Sequence, residues 1–126
     1  MDEQTVRVAR TIAVGRVAYG AACMSVPRLA MGPGAKNAEG PMIWMGRAFG
    51  VRDVILGAGA LLALRGDRSA ATRWVEMGAA ADGLDLANAV VLRKELGGAG
   101  LAGVIALAVP ATLGGLWAAR RMRAAG

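Results

Sequence analysis

Four apolar stretches, separated by short polar segments, run along the whole chain. The last stretch is the most apolar, because the residues from Leu96 to Ala119 include no charged side chain. As a helix, this stretch is long enough to cross a hydrocarbon core of about 30 Å. The three earlier stretches have the length of a span, but charged residues interrupt each of them. The pattern predicts four membrane-spanning helices, over residues 6–29, 42–64, 71–92 and 96–119.

Polar connectors lie between these stretches, at residues 31–41, 65–73 and 93–100. Their Gly, Pro and charged residues are typical of loops and tight turns. No internal repeat or long linker divides the chain, so residues 1–126 are predicted to form one domain. Short connections make consecutive helices antiparallel neighbours. The predicted fold class is all-α, a four-helix transmembrane bundle with up-down-up-down topology and short loops.

The composition narrows the classes of function. Hydrophobic residues make up 56% of the chain, more than the core of a soluble domain of this size requires, which indicates a membrane-embedded protein. The net charge of +6 does not indicate nucleic-acid binding, because the basic residues lie between apolar stretches and only 4% of the residues are aromatic and able to stack on bases. One Cys and no His exclude an internal disulfide and leave no ligand set for zinc or haem. We therefore expect no cofactor, no metal site and no nucleic-acid partner.

Basic residues near the ends of the predicted spans set the orientation. The end of the bundle that holds both termini collects eight: Arg7, Arg10, Arg65, Arg68, Arg73, Arg120, Arg121 and Arg123. The other end has four: Arg28, Lys36, Arg93 and Lys94. This excess predicts that both termini are cytoplasmic in a multi-pass protein of the inner (plasma) membrane. The Arg-rich, Ala-rich composition favours a bacterial origin. A signal peptide is the main alternative for the first stretch, but a convincing small-x-small cleavage site is missing.

Six charged residues lie in the central parts of the predicted spans, away from their ends: Arg16, Arg47, Arg52, Asp53, Asp82 and Asp85. Each would cost about 2.5 to 3.5 kcal/mol if it were exposed to lipid near a helix centre, so these residues must pair or contact water. In the hairpin of the second and third helices, positions whose numbers sum to about 137 lie at one depth, which places Arg52 opposite Asp85. Asp82 and Asp85 share a helix face, and Arg16 lies at a depth similar to that of Asp82. We therefore predict a buried Arg–Asp network whose three positive and three negative charges balance.

Two interpretations of this network stay open. Buried ion pairs can fix the register of helices without any chemistry, and the same residues can hold a ligand, an ion or a proton. Gly46, Gly50 and Gly57 lie on the same stripe of the second helix as Asp53. Small residues in such a stripe let two helices approach closely, so the sequence predicts a helix-packing face there.

One family resemblance is carried by the two central helices. The segment GRAFGVRDVILGAGALLAL, followed about twenty residues later by AADGLDLANAV, resembles the small four-helix membrane proteins of the DoxX-like group, particularly its short actinobacterial and fungal branches. The resemblance covers residues 42–92 best. It implies a four-helix integral membrane bundle in which five residues match the motif: Arg47, Arg52, Asp53, Asp82 and Asp85. It implies no agreed activity, because the founding DoxX proteins are linked to quinone-coupled sulfur oxidation and the short branches to no known function.

Several functions are compatible with these features. We expect an accessory or scaffolding subunit that contacts membrane lipid and either itself or a larger membrane complex through its Gly and Ala faces. The alternative is a small-molecule or quinone-linked redox partner, or a proton-coupled carrier, in which Asp82 and Asp85 hold or pass a proton. An enzyme acting on lipids is a third possibility, with Arg47 and Arg52 binding phosphate, but a metal-binding D-D-x-x-D run is absent. No residue is predicted to be catalytic.

Overall fold

The computed structural model describes all of residues 1–126, and the chain is helical throughout, with no β-strand. The helices are α1 Glu3–Ser25, α2 Pro27–Ala30, α3 Gly40–Ala63, α4 Arg68–Val91 and α5 Arg93–Ala124, with a 3-10 turn at Pro33–Ala35. The four long helices, α1, α3, α4 and α5, correspond in order to the four predicted ones. The all-α fold class is confirmed, and each boundary lies within a few residues of its prediction.

The connection between α4 and α5 differs from the prediction. Residues 93–100 were expected to form an open connector, but they are helical, so α5 follows α4 after the single residue Leu92. The only non-helical residue within α5 is Gly97, whose φ of 69° lies in the left-handed region that favours glycine. The prediction of an open loop is therefore wrong for most of this segment, but the backbone at Gly97, with φ 69° and ψ 174°, breaks the helix, so α5 consists of two helical segments joined at a kink.

Local sequence signals set the starts of the long helices. Asp2 caps α1, since its carboxylate accepts hydrogen bonds from the Thr5 hydroxyl at 2.7 Å and from the Thr5 N–H at 2.8 Å. These bonds lower the pKa of the Asp2 carboxyl. Asp67 caps α4 in the same way by accepting from the Ala70 N–H at 2.8 Å. α3 has no side-chain cap and instead carries Pro41 in its first turn, where a missing N–H costs nothing.

The long helices form a ring in which each packs mainly on two others. α1 packs on α3, α3 on α4, α4 on α5, and α5 on α1. Neighbours in the chain run antiparallel, as the close approaches of Gly20 to Gly50 and of Ala13 to Gly57 between α1 and α3 demonstrate. At the end of the ring that holds both termini, Arg68 of α4 donates to the carbonyl oxygen of Met122 in α5 at 2.8 and 3.2 Å. The two helix pairs α1–α3 and α4–α5 have the most extensive contacts.

Glycines bring α1 and α3 into backbone contact. A Cβ atom at Gly20 would lie 2.6 Å from the carbonyl oxygen of Gly50, and a Cβ at Gly57 would lie 2.5 Å from the carbonyl oxygen of Ala13. Gly46 is also buried, but it faces the side chain of Met31 in the preceding loop. Of the three glycines predicted to form a packing face, two therefore contact α1 and one contacts the loop.

Small side chains line the interior of the ring, and large apolar side chains cover its exterior. Eleven of the fifteen buried apolar residues are Ala, another is the fully buried Cys23, and only three are large: Leu56, Val75 and Met122. Large apolar residues are exposed on every long helix: Val14, Trp44, Ile55, Leu62, Met77, Leu84, Leu107 and Leu113. Soluble proteins bury such side chains preferentially, so this distribution is reversed.

α5 alone is long and apolar enough to cross a membrane by length and composition. Only 6% of its most apolar window is buried inside the protein, whereas the core helix of a soluble protein is mostly buried. Charged residues interrupt the apolar stretches of α1, α3 and α4. The four predicted spans are thus all present as helices, but only the last one meets the criteria for a span on its own.

Candidate functional site

Arg16 lies at the centre of the ring, where it joins three helices. Its side chain is 8% exposed. From α1 it donates to Oδ1 of Asp53 in α3 at 3.1 Å, and to two acceptors in α4, the carbonyl oxygen of Gly78 at 2.7 Å and Oδ2 of Asp82. Both carboxylates are as well buried as the guanidinium. Each lies near the middle of its helix, so Arg16 connects the helices far from either end of the ring.

Gly78 makes room for the guanidinium of Arg16. A Cβ atom at Gly78 would lie 3.0 Å from Nε and 3.1 Å from Nη2 of Arg16. The sequence analysis did not select Gly78, although its spacing of four residues from Asp82 places both on one face of α4. This spacing could have identified Gly78 from the sequence, because an Arg side chain that reaches Asp82 from another helix needs a small residue beside it on α4.

A second ion pair joins α3 to α4 beside Arg16. Arg52 donates from Nη1 to Oδ1 of Asp85 at 3.0 Å and from Nη2 to Oδ2 at 2.7 Å, a bidentate geometry that fits the planar guanidinium. The same Nη2 lies 3.3 Å from Oδ1 of Asp53, the oxygen that Arg16 also contacts. Asp53 therefore links the two pairs into one network, which we call the Arg–Asp network: Arg16, Arg52, Asp53, Asp82 and Asp85. The pairing of Arg52 with Asp85 is the one that the hairpin geometry predicts.

One aromatic ring contacts Arg52, and a second ring packs against the first. The Arg52 guanidinium lies 4.4 Å from the centroid of the Phe49 ring, a cation–π contact. The Tyr19 ring packs edge-on against Phe49 at 5.9 Å, and the Tyr19 hydroxyl donates to the carbonyl oxygen of Ala30 at 3.2 Å. The only Phe and the only Tyr of the chain thus position one member of the network.

Arg47 does not join the network. Its side chain is exposed, and it forms no ion pair or hydrogen bond in the structure. Five residues separate Arg47 from Arg52, which turns it roughly 140° away around α3. It also lies only seven residues after Gly40, near the end of the helix. The sequence analysis counted Arg47 as internal because it considered position along the span and not the direction of the side chain.

Without Arg47, the charges of the network do not balance. Two guanidinium groups face three carboxylates, so the fully ionised network carries a net charge of −1. The sequence analysis expected a sum of zero. Burial in a medium of low dielectric constant penalises such an uncompensated charge.

A small cavity lies next to Arg16. Its volume is about 10 Å³, and Ala13, Leu56, Trp74 and Gly78 contribute to its lining. This volume corresponds to about one water molecule. The interior around the network is therefore nearly filled by side chains.

The structure contains no cluster of three or more side chains that could hold a metal ion. Most of the carboxylate oxygens of the network that face inward accept from guanidinium groups instead. Cys23, the only thiol, is buried and unpaired, and it lies near Gly50 at the contact of α1 with α3.

Comparison with protein-family models, with curated proteins and with solved structures finds no match to this chain. The resemblance of residues 42–92 to the DoxX-like group stays a prediction from the sequence. The function is therefore inferred from the burial pattern and from the network.

Proposed function

We propose that the chain is an integral membrane protein whose four long helices lie in the bilayer, and that it acts as an accessory or scaffolding subunit. The reversed distribution of side chains carries this proposal. Large apolar residues cover the exterior, where lipid tails or the helices of a partner would contact them, while Ala and Gly line the interior. Helix packing in membranes uses small residues in this way, because close backbone approach replaces the hydrophobic driving force.

The Arg–Asp network explains how the three less apolar helices can enter the bilayer. Five isolated charges would cost roughly 12 to 18 kcal/mol on the scale of about 2.5 to 3.5 kcal/mol each. Every one of the five has an opposite charge within 3.3 Å, so little of this cost remains as unpaired charge. These helices would then enter the membrane together with α5, as one paired group with a net charge of −1, and not as helices that each carry isolated charges.

The closed interior favours a scaffolding role over transport of a large substrate. The cavity beside Arg16 has room for about one water, and hydrogen bonds occupy the groups around it. The exposed apolar faces, in contrast, are available to a second copy or to a larger membrane complex. We therefore propose that assembly through these faces is the function, and that the network fixes the register of the helices.

Replacing Asp82 by Asn tests this function. If the network only holds the helices together, Asp82→Asn weakens the charge-assisted hydrogen bond from Arg16 by about 1 to 2 kcal/mol, and the amount of assembled protein falls several-fold. The measurement is the amount of protein in the membrane fraction after a carbonate wash, followed by size-exclusion chromatography in mild detergent with identification of co-purifying proteins.

The matched control is Glu76→Gln. Glu76 lies on α4, as Asp82 does, but it is outside the network and pairs with Arg123 of α5. We expect this variant to assemble normally. Release of the unaltered protein by carbonate would contradict the membrane assignment. Normal abundance and assembly of Asp82→Asn would contradict the scaffolding role.

The second candidate is a proton-coupled carrier. Of the alternatives to a scaffolding subunit, the net charge of −1 on the network favours this one. A network with one excess negative charge gains a proton most readily when it is surrounded by hydrocarbon. Asp82 and Asp85 lie on one face of α4, three residues apart, and Asp85 is 29% exposed and so accessible from outside the network. A proton could then enter at Asp85 and reach Asp82 deeper in the ring.

A carrier predicts the opposite behaviour of Asp82→Asn. Because Asn resembles the neutral carboxyl, this variant should assemble normally, while proton flux into liposomes that contain a pH-sensitive dye should fall to the level of protein-free liposomes. Glu76→Gln should retain the flux of the unaltered protein. A flux that is no faster with the unaltered protein than without it, under an imposed pH gradient, would rule out this candidate.

A further inference from the structure

We propose that the last three turns of α5 bind an anionic phospholipid, a proposal that rests on the membrane location proposed above. The site is an open surface along one helix, which we call the α5 groove, and it is lined by Leu113, Leu116, Trp117, Arg120, Arg121 and Ala124. These positions recur at spacings of three and one, so they form one continuous face of the helix.

The face changes from apolar to basic in the order that a phospholipid requires. Leu113 and Leu116 are exposed and lie nearest the middle of α5, where acyl chains would be. Trp117 follows, and an indole ring prefers the boundary between hydrocarbon and headgroups. Arg120 and Arg121 come next, about 10 to 12 Å along the helix from Leu113. A lipid lying along this face would bring its chains to the leucines and its phosphate to the arginines.

The two arginines of the α5 groove are free to bind an anion. Arg123, which is close in sequence, is already paired with Glu76 at 2.5 Å. Arg120 and Arg121 are exposed and form no salt bridge in the structure, and the carboxylate whose charge interacts with Arg121 is that of Asp2, which is itself bound to Thr5. Arg121 instead lies 5.3 Å from the Trp117 ring centroid, so the ring orients its guanidinium. Guanidinium groups suit phosphate because their planar N–H donors can bind two oxygens at once.

Charge complementarity favours a lipid over a second copy of the chain at this face. In a symmetric dimer the same patch meets itself, and Arg120 and Arg121, which form no salt bridge, would then approach their own equivalents. Like charges at such a contact oppose association. An anionic headgroup compensates both guanidinium groups, and the adjacent leucines remain covered by its acyl chains.

Quenching of Trp117 by brominated lipids tests the proposal on the full-length chain. Trp44→Phe and Trp74→Phe leave Trp117 as the only Trp. The protein in neutral detergent is titrated separately with brominated phosphatidylglycerol and with brominated phosphatidylcholine. Two arginines near a phosphate, each contributing about fivefold, should make the apparent affinity for phosphatidylglycerol about 25-fold higher. Arg120→Gln together with Arg121→Gln should remove this preference.

The matched control is Arg65→Gln together with Arg73→Gln, which removes two exposed arginines from the same end of the protein. This variant should retain the preference. An equal loss of the preference in the control would mean that diffuse positive charge, and not the α5 groove, selects the lipid. Equal quenching of the unaltered Trp117 by both lipids would mean that no site for an anionic lipid exists, although the contact of α5 with the membrane would stand. Absence of quenching by either lipid would overturn both the site and the membrane location of α5.

Discussion

Replacing Arg16 by Met is expected to destabilise the folded protein by about 3 to 5 kcal/mol, the range measured when one partner of a buried ion pair is removed. Methionine keeps most of the volume but leaves Asp53 and Asp82 without the guanidinium between them, and it leaves the Gly78 carbonyl oxygen without its donor. The two carboxylates would then be buried as like charges. The expected result is a lower unfolding temperature in detergent, or a loss of accumulated protein if the variant does not fold.

The control for this prediction is Arg7→Met on the same helix. Arg7 is exposed and pairs only with Glu3, so its loss should change stability by less than about 0.5 kcal/mol. Adding Asp53→Asn and Asp82→Asn to Arg16→Met should restore part of the stability, because the unpaired charges are then gone. If Arg16→Met unfolds at the same temperature as Arg7→Met, the network does not hold the helices together.

Gly20→Ala and Gly15→Ala, two identical changes in α1, are expected to have opposite effects. A Cβ at Gly20 would lie 2.6 Å from the Gly50 carbonyl oxygen and 2.9 Å from the Val54 nitrogen, both backbone atoms of α3 that cannot rotate away. Separating α1 from α3 to relieve this overlap should cost about 1 to 3 kcal/mol. At Gly15, no atom outside its own helix lies within 4 Å of the added methyl group.

Gly15→Ala should therefore be neutral or stabilising by up to about 1 kcal/mol, because alanine has the higher helix propensity. Thermal unfolding of both purified variants measures the difference. Equal unfolding temperatures would show that α1 and α3 do not approach as closely as the structure describes, and that their contact is made by side chains.

The sequence predicts most of the network because helix geometry determines it. Connectivity places Arg52 opposite Asp85 in the hairpin of α3 and α4, and the spacing of Asp82 and Asp85 puts them on one face. Hydropathy alone cannot tell which side of a helix faces inward, however, since α3 has apolar residues all around it. Arg47 was included for that reason, and the predicted charge balance was incorrect as a result.

Two other features, at Gly78 and Gly97, were not predicted from the sequence. Gly78 is required by the guanidinium of Arg16, which comes from another helix sixty-two residues away in the chain. The break between α4 and the apolar part of α5 is confined to Gly97, where φ of 69° and ψ of 174° form a kink between two helical segments. The sequence analysis did not select Gly78, and it treated Gly97 only as part of a connector.

The Ala- and Gly-rich interior of the ring has a consequence for the thermodynamics of folding. Neither residue has side-chain rotamers to lose, so packing these helices costs almost no side-chain entropy, whereas a core of Leu and Met would cost roughly 0.5 to 2 kcal/mol for each residue. A smooth interface of this kind discriminates poorly between one alignment of two helices and another that is shifted by a turn. The directional bonds of Arg16 and Arg52 would then select one alignment among many of similar energy, and chains that lack them should populate several interconverting arrangements.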